Sequence, residues 1–181
     1  MRFWRFAILS ACVTCVLLSG TSLLAFELKS PAFAAGGSIP SLYTCQGKDI
    51  SPPLTWSKAP EKTRSFVLIC DDPDAPVMTW VHWVYFDIPP AVTALPEGMP
   101  KDEKPAMGGI HGRSSFGDLG YGGPCPPWGI HRYFFRLSAL DTILNLAPGV
   151  KKKEVLKAME GHILGTAELM GTYKKNERQH P

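Results

Sequence analysis

The chain has 181 residues, 45% of them hydrophobic, and a formal net charge of +3, which suits one soluble domain with a sizeable core. Two basic residues, Arg2 and Arg5, lie in an apolar leader; without it 17 basic side chains face 16 acidic ones, so nothing supports a nucleic-acid partner or a broad anionic surface as ligand. Seventeen prolines and seventeen glycines imply many turns and a β-rich fold.

In chain order, Met1–Arg5 gives a basic start, Phe6–Leu24 is apolar, and Ser22-Leu23-Leu24-Ala25 closes it with a small residue. This is the three-region pattern of a Sec signal peptide, residues 1–25, cut after Ala25 and delivering the protein to the periplasm or outside the cell. Leu9-Ser10-Ala11-Cys12 has the form of a lipoprotein cleavage site, but the apolar stretch before it is too short. Left uncleaved, the leader is just long enough to act as a membrane anchor. Residues 26–176 are assigned to one folded domain and 177–181 to a polar tail.

After Phe26–Phe33 comes a turn at Gly36–Pro40, a short β-prone piece at Ser41–Cys45, a loop to Pro53 and a strand at Leu54–Trp56. Ser65–Cys70 is apolar and β-branched, the pattern of a buried strand. Asp71-Asp72-Pro73-Asp74-Ala75-Pro76 then places three carboxylates and two prolines in six residues. Turn chemistry is the plain reading of Asp71, and Asp74 is expected to turn its carboxylate onto backbone N–H groups. Val81–Ile88, a strand stopped by Pro89-Pro90, carries His82 between Val81 and Trp83; a buried imidazole needs partners.

Residues 91–109 show no periodicity and read as a solvated surface excursion. Gly117–Gly129 is a glycine- and proline-rich loop feeding a strand that begins His131-Arg132-Tyr133 and continues to Leu140. Alternation places Arg132 on the face opposite His131 and Tyr133. A helix is predicted over Lys151–Leu164, with Val155, Met159 and Ile163 on one stripe and Lys151-Lys152-Lys153 as a solvated face. Ala167–Tyr173 closes as a strand. The architecture this implies is mainly β: an antiparallel β-sandwich with one or few peripheral helices.

Three cysteines, Cys45, Cys70 and Cys125, follow the leader. Cys70 ends an apolar strand and reads as a small core residue. Cys45 and Cys125 lie in polar loops, where export would allow a disulfide without requiring one. No spacing matches a zinc ribbon or, beyond the leader, a Cys-x-x-Cys redox site, and no helix follows the glycine run to receive a nucleotide phosphate. No cofactor is indicated.

The Asp-Pro-Asp-Ala-Pro run at Asp72–Pro76, Trp80-Val81-His82-Trp83, Gly123-Pro124-Cys125-Pro126-Pro127 and His131-Arg132-Tyr133 together resemble the phosphatidylethanolamine-binding protein family, closest to its bacterial, Raf-kinase-inhibitor-like branch. The resemblance runs in order from about Phe26 to Lys174. It departs at Ser114 and Ser138, where many bacterial members have asparagine and tyrosine. A cut at Ala32-Phe33-Ala34 would remove the segment matching the family's first strand, which favours Ala25.

The resemblance implies a pocket for phosphate, acetate or a phosphoethanolamine headgroup. Its lining would comprise Asp72, Trp80, His82, Gly122, Gly123, Pro124, His131 and Tyr133. His82 and His131 would donate to the anion, Asp72 would orient a histidine or meet an ammonium, and Trp80 would form an apolar wall. Convergence of Asp72 with two imidazoles is expected to raise their pKa values, with loop N–H groups adding donors. The leading reading is a non-enzymatic exported binding protein for a small anion or phospholipid headgroup, with peripheral membrane contact and a protein partner as further readings. The rivals are a phosphoester hydrolase using a histidine base, a metal site at Asp72, His82 and His131, and a protease or kinase inhibitor.

Overall fold

The computed structural model describes residues 25–176. Residues 1–24 of the leader, with its lipoprotein-like motif, and the 177–181 tail lie outside the described residues.

Eight strands build two antiparallel sheets. The smaller has the order β1-β2-β5, from β1 (Glu27–Lys29), β2 (Leu54–Ser57) and β5 (Ala94–Leu95). The larger has the order β6-β4-β3-β7-β8, from β3 (Ser65–Asp72), β4 (Trp80–Ile88), β6 (Ile110–His111), β7 (Ile130–Leu140) and β8 (Ile163–Lys174). One helix, α1 (Lys152–Met159), sits between β7 and β8 in the chain.

The apolar run at Ser65–Cys70 has no alternation because β3 is central and covered on both faces; all eight of its residues are buried. Phe66 and Leu68 join Leu28, Leu54, Trp56 and Leu95 of the small sheet in the main core. Val67 and Ile69 point the other way, against Val84, Phe86 and the α1 residues Val155 and Met159. At about 1.5–3 kcal/mol for each large apolar side chain fully buried, Val155 and Met159 account for much of the docking of so short a helix.

Several expectations change. Ser41–Cys45 is no strand: Ser41–Tyr43 forms a 3-10 turn, with Tyr43 N–H donating to Pro40 and Thr44 N–H to Ser41, each at 3.0 Å. The helix is shorter than Lys151–Leu164. Gly161 at φ +80° ends its run, and Ile163 and Leu164 open β8 on an exposed edge. The helical period continued past the residue that stops it. The first strand keeps only Glu27–Lys29. Asp71 belongs to β3 and not to a turn. Among the described residues, no helix is long and apolar enough to cross a membrane.

Candidate functional site

The end of β3 sends two carboxylates to opposite faces. Asp71 turns toward α1, where Lys152 Nζ lies 2.5 Å and Arg136 Nη1 3.5 Å from its Oδ2. Lys152 is therefore an ion-pair partner, not part of a solvated face. Asp72 turns the other way. Its Oδ2 accepts from His131 Nδ1 at 2.7 Å, and its Oδ1 accepts the Asp74 N–H at 2.8 Å.

The turn closed by a carboxylate is thus Asp72's. Asp74 instead grips Arg132, accepting from its Nε at 2.9 Å, its Nη2 at 2.7 Å and its backbone N–H at 2.9 Å. Those bonds to Arg132 hold the Asp74 carboxyl down to about 2. Arg132 is exposed and His131 and Tyr133 are buried, as alternation along β7 requires. The Asp74–Arg132 clamp fastens the Asp-Pro loop to the strand that carries His131.

His82 reaches the same place through a bulge. β3 and β4 pair Cys70 with Trp83 and Asp71 with Val81, leaving His82 as the extra residue. Strict alternation would put it beside Val84, against α1. The bulge turns it to the face of Tyr133, whose ring lies edge-on at 5.1 Å. His82 Nδ1 is 2.6 Å from the Gly122 carbonyl. A carbonyl only accepts, so Nδ1 carries the proton.

Asp72, His82 and His131 converge on a cavity of about 190 Å³, walled by Trp80, Phe116, Ala75, Pro76 and the Cys125–Pro127 segment. Each imidazole has its Nδ1 engaged by the protein, which leaves Nε2 as the nitrogen available to a ligand. Trp80 stands in the cavity wall, and Phe116 stands edge-on to both Trp80 and His82 at 5.4 Å.

Four of the expected lining residues stand elsewhere. The Gly122 N–H donates to the His82 carbonyl at 2.9 Å and the Gly123 N–H to Asp49 Oδ1 at 2.6 Å, so neither is free for an anion. Both glycines line a neighbouring cavity of about 200 Å³, on the far side of Phe116 and Cys125. At Gly123 a Cβ would lie 2.4 Å from the Tyr43 carbonyl oxygen, so only glycine fits the approach. Pro124 is buried behind the wall, its carbonyl accepting the Cys45 N–H at 3.1 Å. Tyr133 is fully buried next to the pocket, its hydroxyl without a hydrogen-bond partner among the described residues. Burial, with the Asp72 carboxylate nearby, pushes that hydroxyl far above its ordinary range.

The expected rise at His82 is reversed: burial pushes its pKa below the ordinary 6.5, against the opposing pull of Gly122 and Asp72. Proximity of a carboxylate was visible in the sequence; the depth of the imidazole was not.

A disulfide joins Cys45 to Cys125 with Cα atoms 5.4 Å apart, tying the proline-rich wall to the 3-10 turn. Cys70 is buried and free. No three His, Cys, Asp or Glu side chains are arranged to hold a metal ion among the described residues. Phe116, Ala75 and Pro126–Pro127 were not singled out as lining. Their signal was proximity to the quoted motifs, and for Phe116 there was none beyond that.

The fold and site define a two-sheet antiparallel β domain with a small, largely apolar-walled cavity holding one carboxylate and two imidazoles at the end of its central strands. Residues 29–174 match the phosphatidylethanolamine-binding protein family, and the chain belongs to it. A UPF0098 protein of Methanothermobacter thermautotrophicus is 55% identical over 149 residues, 82% of this chain and 99% of that one. One from Aquifex aeolicus is 50% identical over 154 residues, 83% and 89% of the two chains. The crystal structure of a putative phosphatidylethanolamine-binding protein homologue from Chlamydia trachomatis superposes with a TM-score of 0.78 at 44% identity, covering 84% of this chain and 99% of its own. Escherichia coli YbcL, described as a new member of the mammalian family, gives 0.78 at 33% identity, covering 83% and 99%.

Proposed function

We propose that the protein is an exported, non-enzymatic binding protein whose pocket takes a small phosphate-type anion, free or as the headgroup of a larger molecule. The observation that carries this is the pair of imidazoles pinned through Nδ1, by Asp72 and by the Gly122 carbonyl, around a 190 Å³ cavity with apolar walls. The volume suits a headgroup and not a whole lipid. The leader and the Cys45–Cys125 disulfide support an oxidising, extracytoplasmic location, checked by the N-terminal residue of protein recovered from the envelope or medium.

Titration calorimetry with inorganic phosphate and with phosphoethanolamine tests the pocket. Saturable binding is expected, weakened about tenfold or more in His131→Ala, the scale of one lost charged hydrogen bond. No binding by folded wild-type protein refutes the reading.

The Asp72–His131 pair also favours a second reading, a phosphoester hydrolase with His131 as base toward water. Among the described residues no hydroxyl side chain lines the cavity, and Ser115 Oγ is occupied in accepting the Val81 N–H at 2.9 Å. Turnover of p-nitrophenyl phosphate that disappears in His131→Ala would establish it. Inhibition of a protease or kinase has no supporting feature in the pocket.

A further inference from the structure

Helix α1 presents two faces. Lys152, Val155 and Met159 make the face that packs on the sheet, Lys152 through its ion pair with Asp71 and the other two in the core. Lys153, Leu156, Lys157 and Glu160 follow one another at i, i+3, i+4 and i+7, the spacing of a single helical stripe, and all four line a groove of about 840 Å³. The rest of its lining comes from Met78–Val81, where the chain enters β4, and from the loop between Arg113 and Gly117. The groove is far larger than the 190 Å³ cavity at Asp72, His82 and His131. Its apolar side chains are Met78, Trp80, Val81 and Leu156, and of these Met78 is 62% and Leu156 42% exposed.

The charged groups of the groove are five cations, Arg113, Lys151, Lys152, Lys153 and Lys157, and one carboxylate, Glu160. Lys152 is committed to Asp71, whereas the other four cations have no acidic partner within 4.0 Å among the described residues. Arg113 and Lys151 are joined by a backbone bridge, so the positive charge runs without a break from the loop onto the helix. The chain beyond the leader is nearly neutral, with 17 basic and 16 acidic side chains. The excess therefore belongs to this groove and not to the composition.

We infer that the groove is a docking site for an extended acidic segment of a partner protein, one in which carboxylate and apolar side chains alternate. The spacing of the cations carries the choice. Lys153 and Lys157 stand one helical turn apart, about 5–6 Å between their Cβ atoms. In an extended chain, side chains on the same side recur about every 7 Å, so carboxylates two residues apart reach both lysines. The residues between them point to the other side, where Met78, Trp80 and Val81 offer apolar surface. A single small anion would leave most of the cations unmatched and the apolar lining in water. Charge complementarity of this kind sets the register and the rate of encounter, and the apolar contacts hold the segment in place. The inference makes no use of Asp72, His82 or His131 and holds whether or not their cavity takes an anion.

The test is fluorescence anisotropy with the full chain and a labelled peptide, Glu-Leu-Glu-Leu-Glu-Leu. Saturable binding that weakens as salt is raised is expected. Lys153→Glu with Lys157→Glu should weaken it about tenfold or more while leaving the circular dichroism spectrum unchanged, since both side chains are exposed. Leu156→Gln, which keeps the charges, should weaken it about threefold or more, and so should replacing every leucine of the peptide by serine. Lys62→Glu with Arg64→Glu makes the same change in net charge before Ser65, at the end of β3 remote from the groove, and should bind as the wild type does. Four results overturn the proposal: no saturable binding by the wild type, binding indifferent to salt, equal losses in the two charge-reversed variants, or equal affinity for the leucine and serine peptides. Saturable binding of oleate by a protein that does not take the peptide also overturns it, and gives the groove to an amphiphile with a single anionic group.

Discussion

His82 presents a lone pair to the cavity, not a proton. Its Nδ1–H is used on the Gly122 carbonyl, and burial keeps the ring neutral at pH values where a solvated histidine would begin to charge. A neutral acceptor at the pocket favours an anion that brings its own proton. Inorganic phosphate keeps that proton on a large share of its ions near neutrality, and phosphate monoesters, with a second pKa of about 6, on a smaller share that grows as pH falls; sulfate does not. At pH 7, phosphate is expected to bind about tenfold more tightly than sulfate, the scale of one such hydrogen bond. The sign of the pH dependence follows from the direction of the shift. With the folded value below 6.5, the His82 cation forms only as pH falls beneath that, so affinity rises on acidification and the sulfate deficit narrows. Equal affinities at pH 7 in competitive calorimetry would refute this protonation state. At this scale the sequence disclosed Asp72, His82 and His131 as a group, because their types and motif positions are local facts. It did not disclose that Gly122 and Gly123 spend their N–H groups inside the protein, nor that Asp74 holds Arg132, because those depend on partners 40, 74 and 58 residues away.

The elements place these residues by a few local devices. β3 was legible as a buried strand, but its last two residues read as a turn because three aspartates and two prolines outweighed the continuing pairing. Pairing runs on through Asp72–Trp80, and the change of face between Asp71 and Asp72 sends one carboxylate to α1 and the other to the pocket. The bulge at His82 is a count of residues between two strands, which no single-strand pattern contains. Helix α1 was found and overextended, since Ile163 fits the helical stripe while Gly161 breaks it. The buried Asp71, 3% exposed in its side chain and with Oδ1 unpartnered among the described residues, depends on Lys152 for compensation. Lys152→Met should lower unfolding free energy by about 2 kcal/mol, less than for a fully buried pair because Arg136 remains and the lysine is partly solvated. Adding Asp71→Asn should recover part of that loss in urea denaturation. If the double variant were less stable than Lys152→Met by the full cost of a second independent mutation, no coupling would exist between α1 and the end of β3.

At the scale of the whole molecule, the two-sheet architecture followed from strand count and turn frequency; with Cys70 read as a core residue, Cys45 and Cys125 were the pair the sequence allowed to bridge without requiring it, and they do. The bridge spans 80 residues and joins the 3-10 turn to the wall of the cavity at Asp72, His82 and His131, so one covalent link holds both the fold and that wall. Chain-entropy arguments assign a closed loop of that length about 4.5 kcal/mol, large against the 5–15 kcal/mol of a typical domain. Cys45→Ser with Cys125→Ser is therefore expected to lower the urea midpoint strongly. Under conditions where the variant is still folded, its affinity for phosphate should also fall, because the proline segment at Pro126 and Pro127 loses its anchor. The Asp72–His131 bond joins β3 to β7, neither of which carries a bridged cysteine, and should keep its geometry; the His131 Nδ1 proton signal would then remain hydrogen-bonded in NMR spectra of the variant. Unchanged phosphate affinity in a folded, bridge-free protein would show that the wall is held by its own packing and that the disulfide serves stability alone.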